Sequence, residues 1–238
     1  MTSAALIFAP VLATWDDGAA IEPIRQQLQA RGLQCEVIDT CALAAEASSI
    51  DDLADRWRRR LGPRAGRPAL ICGNALGGAV AVAMATQLDR PTPILSVSGP
   101  VRATATLRDR LSAVAALADT GDTAAALRLL ASYVGDPNTP VPDRAEFRTK
   151  YPDRAASRIA AGLSLLCTVD LTAAAAQYRC PIVTIVGRRS QLVTFEHCAQ
   201  GPTAETIVVD DAAMRPHHTH PECLTPALDD LLMEYVCD

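Results

Sequence analysis

The sequence predicts an α/β fold: a mostly parallel central sheet with helices on both faces and a helical cap insertion. Three observations point there. Short apolar runs alternate with amphipathic helical stretches over residues 1–100 and again over 178–238, the rhythm of successive βαβ units. Between them, residues 101–177 carry one helical stretch after another and no strand pattern. Hydrophobic residues make up 49% of the 238, enough for a substantial core and too many for a disordered chain.

AALIFAP reads as the first strand, and IEPIRQQLQARG as a helix stopped at Gly32. QCEVID is the second strand. SSIDDLADRWRRRL is a helix with serine at its N-cap and acids in its first turn. PALICG is a strand, LGGAVAVAMATQLD a helix and TPILSVSG a strand again. The insertion then supplies TLRDRLSAVAALADTG, TAAALRLLASYVG and RAASRIAAGLSLLC, broken by the proline-rich GDPNTPVPD. PIVTIVG and ETIVVDD restore the sheet, and LTPALDDLLMEYV closes the chain as a helix.

A net charge of −5 argues against a dedicated nucleic-acid binder. The run RWRRRLGPRAGR holds six arginines but only one aromatic, Trp57; it reads as a solvated helix end whose cations complement the dipole. The uncharged stretch 69–85 contains three glycines and an asparagine, which suits a buried strand and helix better than a membrane span. The N-terminus is apolar, but it has no basic segment and Pro10 interrupts it, so no signal peptide is expected. None of the eight cysteines forms a C-x-x-C pair. They read as buried thiols of a cytoplasmic protein, not as a disulfide or zinc framework.

The stretch ICGNALGGAVA, Ile71 to Ala81, reads as a strand end, a tight turn flanked by glycines and a helix start. No Lys-Ser or Lys-Thr follows, so it is no phosphate loop. His217, His218 and His220 match no zinc spacing and read as loop histidines. Cys72 reads as core and Cys41 carries no mark of activation. Trp15, Asp16 and Asp17 follow the first strand, at the sheet edge where such folds bind ligands. Trp15 suits a pocket wall or packing equally. Asp16 is a candidate general base, with capping of the helix near Ala19 as its plainer role.

The order and separation of these segments resemble the α/β-hydrolase superfamily, in particular its small cap-bearing members. The likeness covers nearly the whole chain and implies a core of residues 1–100 and 178–238 with a cap at 101–177. The family's elbow reads G-x-S-x-G; here it reads Gly73-Asn74-Ala75-Leu76-Gly77, with alanine at the nucleophile position. By position Ser190 stands where the acid is expected and Met214 where the histidine is expected, so the resemblance implies a pseudo-hydrolase without the triad. A longer loop would give the last place to His217. It also implies an oxyanion hole made by the backbone N–H groups of Val11 and Leu76.

The function expected from this is a non-hydrolytic enzyme of small-molecule, specialised-metabolite type. It would run a cyclisation, isomerisation or elimination by positioning and backbone polarisation. Ala75, Met214, Ser190, Trp15 and Asn74 would surround the substrate, with Asp16 and His217 as candidate acid–base groups. The substrate would be small, apolar and carbonyl-containing. No cofactor, metal, nucleic acid or membrane is called for, and a homodimer is compatible. Two alternatives stay open: a ligand-binding or protein-interacting pseudoenzyme, and an ester or thioester hydrolase with a mutated or displaced nucleophile.

Overall fold

The computed structural model describes residues 4–66 and 68–233. Arg67 of the arginine run and the end of the last expected helix therefore lie outside the described residues. The elements run β1 (Ala4–Phe8), α1 (Glu22–Ala30), β2 (Gln34–Ile38), α2 (Ile50–Leu61), β3 (Leu70–Asn74), α3 (Leu76–Thr86) and β4 (Ile94–Val97). Helices α4 (Ala105–Asp119), α5 (Thr123–Val134), α6 (Pro152–Cys167) and α7 (Thr172–Gln177) follow. Then come β5 (Ile182–Gly187), β6 (Ala204–Val209), α8 (Pro216–Thr219) and α9 (Leu224–Met233).

The six strands form one parallel sheet in the order β2-β1-β3-β4-β5-β6. Its direction of growth reverses between β1 and β3, which opens a crevice at the carboxyl ends of those two strands. Alternate residues feed two separate cores. Leu6, Phe8, Ile71 and Ile94 pack with α2, α3 and the inserted helices. Ala5, Ile7, Leu70, Cys72 and Leu95 pack with α1 and α9. Both faces are covered, so the inner strands β1, β3, β4 and β5 are buried almost throughout, while the edge strands β2 and β6 carry Gln34, Glu36 and Glu205.

Local chemistry agrees with the sequence at most boundaries. Ser49 caps α2, its side chain accepting from the Asp52 N–H, with Asp51 and Asp52 in the first turn and Arg58–60 in the last. Arg56, Arg58 and Arg59 pair with Asp52 and Asp55 of their own helix. Helix α3 is buried all round from Leu76 to Ala85, which accounts for its lack of charge. Among the described residues no helix is long and apolar enough to cross a membrane. Strand β4 is shorter than its apolar run because Ser98 turns to φ 50°. Two short helices, α7 and α8, add to the expected elements.

Residues 105–177 give four helices and no strand to the sheet. The two ends of this segment meet in an isolated antiparallel bridge, Arg102 with Asp170. There the Ala103 N–H donates to the Val169 carbonyl at 2.9 Å and the Leu171 N–H to the Val101 carbonyl at 2.6 Å. An excursion that closes on itself in this way leaves the sheet's own ladder intact.

Candidate active site

The turn from β3 into α3 is the most constrained point of the sheet edge. Ala75 sits there at φ 50°, ψ −112°, a conformation that costs an L-residue of order 1–3 kcal/mol and persists only where its surroundings enforce it. The enforcement is visible. The Ala75 N–H and the Asn74 side-chain amide both donate to the Val97 carbonyl at 2.9 Å. A Cβ at Gly77 would run into the Phe8 carbonyl, and one at Gly73 into the Gly77 carbonyl, so α3 starts hard against β1 and β3. The glycine spacing read from the sequence is thus a packing requirement.

This turn opens on a cavity of about 260 Å³. Its floor is Pro10, Val11, Asn74 and Ala75. Its roof comes from α4 (Leu107, Leu111), α5 (Leu127, Leu130, Val134) and α6 (Leu163, Leu166). Leu192, Val193 and Met214 close one side. Among the described residues that line it, none is Ser, Thr, Cys, His, Lys, Tyr, Asp or Glu; the only polar side chains are those of Asn74 and Arg215. The cavity therefore brings Val11, Asn74, Ala75 and Met214 together. Leu76 is buried and outside the lining, but its amide follows directly on Ala75. Neither the Val11 nor the Leu76 N–H has an acceptor among the described residues.

The other candidate residues lie elsewhere. Ser190 is buried outside the lining, with its Oγ unpartnered among the described residues and its N–H on the Gly187 carbonyl. Trp15 lines a separate cleft with Tyr151, Arg154 and Arg158, not this cavity. Asp16 has both carboxylate oxygens taken, by the Gly18 N–H at 3.0 Å and the Ala20 N–H at 2.9 Å. It holds the turn before α1, which leaves it poorly placed to act as a base. Cys41 and Cys72 are buried; burial pushes the Cys41 thiol up to about 11 and that of Cys72 well above its usual range, so neither is an activated nucleophile.

His217 is fully buried and also outside the lining. Its Nε2 donates to the Ala20 carbonyl at 3.1 Å, an acceptor it shares with Nε2 of His218 at 2.8 Å. Its Nδ1 is buried with no partner among the described residues. His220 turns to the Thr219 hydroxyl, so the three histidines do not converge on one point. Desolvation lowers the His217 pKa to about 4, with the neighbouring charges of His218 and Arg215 adding to it. The folded pKa lies below that of a free imidazole, so the unfolded chain takes up the proton first as pH falls. The associated stability is complete above about pH 6.5 and is lost down to about pH 4, a total of about 3 kcal/mol. Denaturant titrations across that window should show a shallower pH dependence for His217→Gln than for the wild type. Parallel curves would mean that His217 is already charged in the fold.

One pair has no signal in the sequence reading. Arg158 of α6 donates through Nη1 and Nη2 to the two oxygens of Asp39, at 2.9 and 2.6 Å, and through Nε to the Leu12 carbonyl at 2.8 Å. Asp39 follows β2 and Leu12 follows Val11 in the loop after β1. A single guanidinium thus ties the roof of the cavity to its floor. Arg110 of α4 makes a second tie, to the Gln191 carbonyl.

No family model matches the chain, and no curated protein matches it by sequence. Solved structures do match it in shape. An enol-lactonase from Burkholderia xenovorans LB400 superposes with a TM-score of 0.76 at 15% identity, over 98% of this chain and 92% of that one. MGS-M2, an α/β hydrolase enzyme from a Medee basin deep-sea metagenome library, gives 0.73 at 13% identity, over 97% and 89%. An E-2-(acetamidomethylene)succinate hydrolase gives 0.67 at 19%, over 98% and 92%. The chain has the α/β-hydrolase fold.

Proposed function

We propose that this protein is a non-hydrolytic enzyme of small-molecule metabolism, acting on a largely apolar substrate with a carbonyl group. The reading rests on one observation: the elbow of a hydrolase fold carries alanine, and it opens on a cavity whose lining, among the described residues, offers no nucleophile and no general acid or base. An alanine methyl cannot attack a carbonyl. In this reading the N–H groups of Val11 and Leu76 polarise the substrate oxygen, and Ala75, Asn74 and Met214 set its conformation. A cyclisation, isomerisation or elimination then proceeds by positioning and electrostatics, any proton passing from one substrate atom to another, because the described lining residues supply no acid or base. Ser190, Trp15, Asp16 and His217, which the sequence also suggested, have no direct role here.

The same lining favours a second reading, a protein that binds its ligand without converting it. The two part on turnover. Candidate intermediates are incubated with the protein and analysed by mass spectrometry. Product in excess over protein supports the enzyme, while stoichiometric retention of unchanged ligand supports the binder. The fold neighbours named as hydrolases make ester hydrolysis the outcome to test against. With p-nitrophenyl octanoate the protein should show no burst and no acyl adduct. Ala75→Ser alone should rise no further than the ~10³–10⁴-fold residual left to an oxyanion hole and binding. An acyl-enzyme on the unmodified protein would sink the proposal.

A further inference from the structure

We infer that the occupant of the cavity carries an anionic head, a carboxylate or a group of like charge, on its apolar body, and that Arg215 at the rim reads that head. This rests on the cavity being the working site, as proposed above, and it narrows the substrate class.

Among the described residues, Arg215 is the only charged one in the lining. It is exposed, so it stands at the solvent side of an otherwise apolar chamber. The other polar side chain, Asn74, is already committed to the Val97 carbonyl. The guanidinium of Arg215 has neither an ion-pair nor a hydrogen-bond partner among the described residues. Those around the cavity are tied down: Arg158 by Asp39 and Leu12, Arg110 by Gln191, Arg189 by Asp136 and Asp211. Its backbone is anchored, because its carbonyl accepts from the N–H groups of His218 at 3.0 Å and Thr219 at 3.3 Å. An unpaired, fork-shaped cation carried on an anchored backbone at the rim of apolar walls matches an amphipathic anion, since guanidinium and carboxylate pair in a bidentate geometry. The neighbouring His217 is held neutral by burial and supplies no competing charge.

The probes are octanoate and 1-octanol, equal in chain length and different in charge, titrated calorimetrically at low salt. Because the rim is solvated, the preference for octanoate in the wild type should be modest, about fivefold. Salt at 0.5 M should erode it. Arg215→Gln should abolish the preference while leaving octanol affinity unchanged. Arg215→Glu should favour octylammonium over octanol. An exposed, unpartnered side chain can be replaced without unfolding the domain, and thermal melts check this. Equal affinities in the wild type, or a preference that survives Arg215→Gln, would overturn the inference while leaving the cavity reading intact. Binding of neither probe would overturn both.

Discussion

Arg158→Ala should lower the melting temperature by roughly 6–20 °C, the largest stability effect expected of any polar substitution in the chain. The side chains of Arg158 and Asp39 are 9% and 18% exposed, and they meet in a bidentate pair. Removing one partner of this largely buried pair leaves the other charge partly desolvated and uncompensated, a loss of up to about 3–5 kcal/mol. In a domain of this size each kcal/mol moves the midpoint by about 2–4 °C. The Leu12 carbonyl loses its donor in the same substitution. Because Leu12 follows Val11, the floor of the cavity should loosen with the roof, and octanol affinity should fall along with stability. Replacing both partners by apolar residues of similar volume, Arg158→Met with Asp39→Leu, should recover most of the stability. It should not recover the anchoring of Leu12, so affinity should stay low. A melting temperature for Arg158→Ala within about 2 °C of the wild type would show that the pair is solvated and idle.

The part of this architecture that sequence alone discloses is the part set by local rules. Strand and helix periods declared β1, β3, β5 and the helices beside them, because burial on both faces of a parallel sheet imposes apolar runs on its inner strands. The elbow was legible because two backbones approach so closely at Gly73 and Gly77 that no side chain fits. The Arg158–Asp39 pair was not, since the two residues are 119 positions apart and each looks like an ordinary surface charge in its own segment. Trp15 follows β1, but which of two neighbouring clefts it lines depends on where α6 docks. Asp16 lost its candidacy as a base to the Gly18 and Ala20 amides, the local capping that acidic residues make before a helix. The walls of the cavity were hidden in plain leucines: Leu107 and Leu111, Leu127 and Leu130, and Leu163 and Leu166 each recur at helical spacing on one of three helices, and only their tertiary docking separates a pocket lining from a filled core.

Ala75→Phe should abolish octanol and octanoate binding, by at least about 100-fold, or about 2.7 kcal/mol, while the fold stays intact. The elbow methyl is part of the cavity floor, so a benzyl group placed there projects into open volume of about 260 Å³. Forcing extra carbon into a filled core would instead destabilise by about 1–3 kcal/mol. The strain of a positive φ is no obstacle, because Ala75 already bears the Cβ penalty at φ 50° and the longer side chain adds little to it. Thermal melts and calorimetry on the same sample separate the cases. Lost binding at an unchanged midpoint places the ligand against the elbow, in reach of the Leu76 amide. Lost binding together with a midpoint several degrees lower would mean that the space is not open in solution. Undiminished binding would remove the elbow from the site altogether. The ligand would then lie outside this chamber, and the alanine at position 75 would have no bearing on what the protein does.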